Sequence, residues 1–167
     1  MIVLSDTSPI SALTRIGHLH LLEQLFQEVI IPQKVFDELM ELSKFGVDTS
    51  PIINASWLKI IAPTQSPFLL HLLTILDEGE ANAIALAIEL KSELLIIDEY
   101  EGRKIATQLK LQITGVGGIL VRAKLRNFVP EVKPLLDKML SVANFYLSEK
   151  VYTEILKQAN EQANEQP

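Results

Sequence analysis

Four acidic residues stand where simple fold reasons do not fully account for them: Asp6, Glu38, Glu80 and Asp98. The chain has no cysteine and only three scattered histidines, so thiolate and zinc-type sites are excluded. Any metal would be held by oxygen alone, which makes a hard cation the default. The chemistry that wants several carboxylates, with no histidine base and no covalent nucleophile, is phosphodiester hydrolysis. There the cation activates a water and steadies the leaving oxygen. Crowded carboxylates repel one another, so without a cation at least one should have a raised pKa.

Each acid also has an ordinary reading. Asp6 directly follows an apolar strand, where ligand sites of open α/β sheets lie, but it would serve equally as a turn residue leading into a helix capped by Ser8. Glu38 belongs to a helix whose solvated face is Lys34, Asp37, Glu41 and Lys44 and whose apolar face is Val35, Leu39 and Leu42. It lies between Val35 and Leu42, where a charge is costly unless paired or metal-bound, or else it snorkels out from the margin. Glu80 closes a capping-box-like pair with Asp77, which needs no function, yet it also begins the inward face of Ile84 and Ala87. The helix N-terminus would keep this carboxylate ionised. Asp98 ends the run Leu94–Ile97 and repeats the placement of Asp6, with Glu99 and Glu101 close enough to add a ligand or touch a bound water.

The elements that must position these residues alternate. Strands are predicted at Ile2–Leu4, Val29–Ile31, Trp57–Ile61, Leu94–Ile97 and Gln112–Thr114. Helices are predicted from Ser8 and Pro9, at Leu19–Phe26, from Pro32 to about Lys44, at Pro67–Leu76, Gly79–Lys91 and Gly102–Leu109. Others follow the glycines at 115, 117 and 118, and start at Pro130 and Ser148. Alternating β and α elements imply a three-layer α/β fold, its mostly parallel central sheet flanked by helices. With 167 residues, 48 % of them apolar, the chain fits one core. Residues 1–147 read as the domain and 148–167 as a C-terminal helix and a polar tail expected to fray from Gln158.

The net charge of −6 is uneven: residues 1–98 hold 13 acids and 5 bases, whereas 103–133 hold 7 bases and 1 acid. A metal-binding half followed by a phosphate-holding stretch is one reading, and solvated helix faces are the plainer one. Arg103 and Lys104 are the bases placed to grip a nucleic-acid strand, unless Arg103 pairs with Glu99 or Glu101. The three glycines lack the spacing of a dinucleotide loop and suit a tight turn better. Trp57 reads as core. No export signal or membrane-length apolar run is visible, and with the lack of cysteine this favours the cytoplasm.

Asp6-Thr7-Ser8-Pro9, Val35-Phe36-Asp37-Glu38-Leu39, Gly79-Glu80-Ala81-Asn82-Ala83-Ile84-Ala85-Leu86-Ala87 and Ile96-Ile97-Asp98-Glu99 occur in the order of PIN domains. Asp98-Glu99-Tyr100-Glu101-Gly102-Arg103 and Thr114-Gly115-Val116-Gly117-Gly118-Ile119-Leu120 add to the resemblance, which is to the prokaryotic branch similar to VapC-type toxins and covers roughly residues 1–145. It implies a PIN fold and a Mg²⁺- or Mn²⁺-dependent ribonuclease, commonly a homodimeric toxin neutralised by a small antitoxin. Asp6, Glu38, Glu80 and Asp98 then match the acidic quartet, and Ser8 a hydroxyl supporting the first aspartate or a bound water. Two other functions compete. One is a non-catalytic PIN-like module acting through partners. The other is aspartate-based phosphoryl transfer, which is disfavoured because Ser8 stands where a second aspartate would be needed.

Overall fold

The computed structural model describes residues 1–162. Five strands form one parallel sheet: β1 Val3–Ser5, β2 Val29–Pro32, β3 Leu58–Ile61, β4 Leu94–Ile96 and β5 Ile113–Thr114, in the order β3-β2-β1-β4-β5. Period-two alternation splits their side chains between two cores. Val3, Val29, Ile31, Leu94 and Ile96 face one core, while Leu4, Ile30, Leu95 and Ile97 face the other. The first core is covered by α1 Thr7–Arg15, α2 His20–Phe26, α3 Gln33–Glu41, the short α4 Ser50–Ile53, α8 Val116–Leu125, α9 Lys133–Val142 and α10 Glu149–Gln158. The second is covered by α5 Pro67–Leu73, α6 Glu78–Glu89 and α7 Tyr100–Gln108. Burial on both faces explains the near-continuous apolar strands.

The strand order places the functional crevice. The chain winds from β1 to β2 and β3 in one direction, then returns to the other side of β1 to lay down β4 and β5. Successive crossovers thus diverge between β1 and β4, opening a gap above their carboxyl ends. Register pairs Ser5 with Ile96, and the Asp6 N–H bonds the Ile96 carbonyl at 3.0 Å. Asp6 and Asp98 therefore leave adjacent strands at nearly the same level.

Several local expectations are corrected. Asp6, not Ser8, occupies the cap position of α1, because β1 runs through Ser5 and the chain turns at once. Pro130 does not open α9, which starts at Lys133 with Pro134 in its first turn. Ser148 does cap α10, accepting from the Val151 N–H at 3.2 Å. Past Gln158 the chain is still held. The Glu161 carboxylate accepts from the N–H groups of Val132 and Lys133, at 2.8 and 2.9 Å, and from Lys124 Nζ at 2.9 Å. The rest of the predicted fraying tail, 163–167, lies outside the described residues.

Candidate metal centre

Asp6 is buried, with 2 % of its surface exposed, and makes no side-chain bond to the helix it precedes. Its Oδ1 has no hydrogen-bond partner. Burial drives its pKa well above the usual carboxylate range, opposed by the Thr7 N–H and reinforced by the charges of Asp77, Glu80 and Glu38. A buried, unpaired carboxylate oxygen surrounded by further carboxylates is expensive and lacks a positive partner.

Glu38 reaches this crevice from α3. Thr7 Oγ1 donates to its Oε2 at 2.5 Å. The carboxylate lies against the first turn of α6, where Gly79 makes room: a Cβ there would sit 2.6 Å from Oε2 and 2.9 Å from Oε1. Burial raises the Glu38 pKa, the Thr7 hydroxyl lowers it, and Asp77 raises it again. Glu80, also buried, stands one residue beyond Gly79. Asp77 caps α6 as the sequence suggests, its Oδ1 accepting from the Glu80 N–H at 2.8 Å. Burial first, and the Asp77 charge second, push Glu80 up to about 7. Gly102 clears the Glu80 carboxylate from the other side, its would-be Cβ lying 3.1 Å from Oε1.

Asp98 is turned differently. Both of its oxygens accept from the Val116 N–H at 3.1 Å, at the start of α8. Burial raises its pKa to about 6, against the Val116 N–H and the Arg103 guanidinium, which lower it. Gly115 is needed here, since a Cβ would collide with Asp98 Oδ1 and crowd Arg103 Nη1. Arg103 donates from Nη1 to the Ile97 carbonyl at 2.9 Å. The charges felt by Asp6 are those of Asp77, Glu80 and Glu38, whereas Asp98 responds to Arg103 and Glu99. The charge of Asp77 thus bears on three of the four acids, while the fourth is held at the start of α8. Among the described residues no three acidic or histidine side chains already converge as a ready metal cage.

Ser8 Oγ donates to Glu99 Oε1 at 3.1 Å rather than to Asp6. Lys104 is exposed on α7. Other bases of the positive stretch are engaged structurally: Lys124 with Glu161, Lys133 with Asp137, and Arg126 over the Phe128 ring. Beside Asp98 runs a cleft of about 960 Å³, lined by Ser8, Glu99, Tyr100, Arg103, Phe145 and Tyr146 among others. Thr7, Asp77 and Gly79 were not legible as site residues, because each acts on an acid brought to it only by the fold.

A doubly wound parallel sheet with aspartates closing the two strands at its switch point defines a class of α/β proteins that work at the carboxyl edge of the sheet. Within that class, the family model described as DUF3368, PIN domain, matches residues 2–161, and the chain belongs to this PIN-domain family. PIN domains are generally nucleases, commonly with divalent metals. A PilT N-terminus domain protein from the archaeon Sulfolobus solfataricus P2 is similar in structure, with a TM-score of 0.49 and 16 % identity, over 74 % of this chain and 93 % of that one. No curated protein matches the sequence significantly. Among the described residues no helix is long and apolar enough to cross a membrane.

Proposed function

We propose that this chain is a Mg²⁺- or Mn²⁺-dependent endoribonuclease acting in the cytoplasm, the homodimeric toxin of a toxin–antitoxin pair held in check by a small antitoxin protein. One observation carries the nuclease reading: the orphaned Oδ1 of buried Asp6, among carboxylates whose pKa values are raised by burial and by one another. The donor set fits a hard cation, being oxygen only, anionic and short of positive charge. Asp6, Glu38 and Glu80 would hold it, with Asp98 at the rim. When bound, the cation supplies Lewis acidity toward the attacking water and the scissile phosphate.

The chain's own residues do the rest. Thr7 holds the Glu38 carboxylate, and the Asp77 cap fixes the turn that carries Glu80. Arg103, anchored on the Ile97 carbonyl, presents a cation at the cleft where a phosphate oxygen would lie. Lys104, one residue on, faces solvent for a second phosphate. Glu99, bonded to Ser8, is placed to accept a proton near the rim.

The test is cleavage of a panel of single-stranded and structured RNAs by the purified protein with Mg²⁺, Mn²⁺ or EDTA, beside Asp6→Asn and Asp98→Asn. Metal-dependent cutting that Asp6→Asn abolishes is the expected result. No cutting by folded protein on any RNA, with partner binding retained, would favour the non-catalytic interaction module instead.

A further inference from the structure

Asp77 caps α6. Its position gives it a second part. Its Oδ1 is fixed by the Glu80 N–H, and the carboxylate of Glu38 rests on Gly79, two residues further along the same turn. The cap therefore anchors an acid on the turn that carries Glu80 and against which the Glu38 carboxylate lies, while Asp6 Oδ1 is buried without a partner. Its negative charge bears on Asp6, Glu38 and Glu80 alike, and is the foremost charge acting on each of them. Lys34 Nζ, from α3, sits 3.7 Å from Glu78 Oε2 at the exposed surface.

We infer that Asp77 is a fifth acid of the centre, a positioning residue that is held as a helix cap while its charge raises the affinity of the Asp6–Glu38–Glu80 set for a divalent cation. This rests on the metal reading above. A cap alone does not need charge, since asparagine and serine cap as well as aspartate does. The surplus charge is costly without a cation, through repulsion, and useful with one. The two contributions come apart in uncharged caps.

The experiment titrates Mn²⁺ alone into wild type, Asp77→Asn, Asp77→Ser and Asp77→Ala, following free Mn²⁺ by electron paramagnetic resonance, and records thermal midpoints in EDTA. Asp77→Asn and Asp77→Ser should bind Mn²⁺ about tenfold more weakly than wild type. In EDTA their midpoints should rise by about 2–4 °C as repulsion is relieved. Asp77→Ala, which loses the cap as well, should fall below them. Wild-type Mn²⁺ affinity in Asp77→Asn and Asp77→Ser would overturn the inference and leave the metal reading intact. An EDTA midpoint that drops in both would also overturn it, showing a cap and nothing more. A wild type that takes up no Mn²⁺ would overturn the metal reading and this inference together.

Discussion

Replacing Gly79 by alanine sets helix preference against the site. Gly79 is buried in the first turn of α6, and its φ is not in the left-handed region, so the backbone accepts alanine. On propensity alone the change stabilises by about 0.5–1 kcal/mol. The new Cβ, however, would lie 2.6 Å from Glu38 Oε2, whereas ordinary contact begins at 3.4 Å, so the carboxylate must retreat by about 0.8 Å. The same Oε2 accepts the Thr7 hydroxyl, and a bond to a charged group is worth about 1.5–3 kcal/mol. With Glu38 only part-buried, the lower end applies, and the net change is a loss of roughly 0.5–1 kcal/mol. Urea denaturation of Gly79→Ala in the wild-type and Glu38→Ala backgrounds isolates the contact. Without the Glu38 carboxylate the alanine should stabilise; with it, the alanine should destabilise and weaken Mn²⁺ binding. Equal stabilisation in both backgrounds would refute the reasoning, because the two residues would then not touch.

Other outcomes follow from the same geometry. Glu80 and Asp98 have folded-state pKa values of about 7 and about 6, above their unfolded values, so the folded protein holds more protons in between. Metal-free stability should therefore fall as pH rises from about 4 to 7, and saturating Mg²⁺ should flatten that slope; thermal midpoints in EDTA and in Mg²⁺ check it. Asp98→Ala strips the acceptor from the Val116 N–H and leaves Arg103 without its counter-charge, which should cost about 1–3 kcal/mol in chemical denaturation; Asp98→Asn, keeping an acceptor, should cost less. Glu161→Ala removes three bonds to one carboxylate that gathers α8 and α9, and a midpoint within experimental error of wild type would contradict a loss expected at about 2–4 kcal/mol.

The alternation of short apolar runs with helices, and the two aspartates closing β1 and β4, could be read directly, because burial on both faces and the end of a strand leave local marks in sequence. So could the Asp77 cap, three residues before Glu80. The orientation of each acid was not local. Asp98 looks like Asp6 in sequence, but whether it faces the crevice or the start of α8 depends on Val116, eighteen residues away. Ser8 reads as the cap of α1, but Asp6 takes that position; the Ser8 hydroxyl meets Glu99 across ninety-one residues, and its neighbour Thr7 holds Glu38. Arg103 carries no local sign that its guanidinium bonds a strand carbonyl behind it. Gly79 and Gly115 look like ordinary helix-start glycines until the carboxylates they clear are in place.

The central position of β1 has a consequence for the timing of synthesis. β1 is made before both strands that flank it in the sheet, β2 on one side and β4 on the other. Asp6 is made about ninety residues before the neighbour that seals its second edge is complete at residue 96, and the Val116 N–H that holds Asp98 comes later still. A partly made chain cannot assemble the centre. Whatever chemistry the acids perform begins only when the chain through Val116 has emerged.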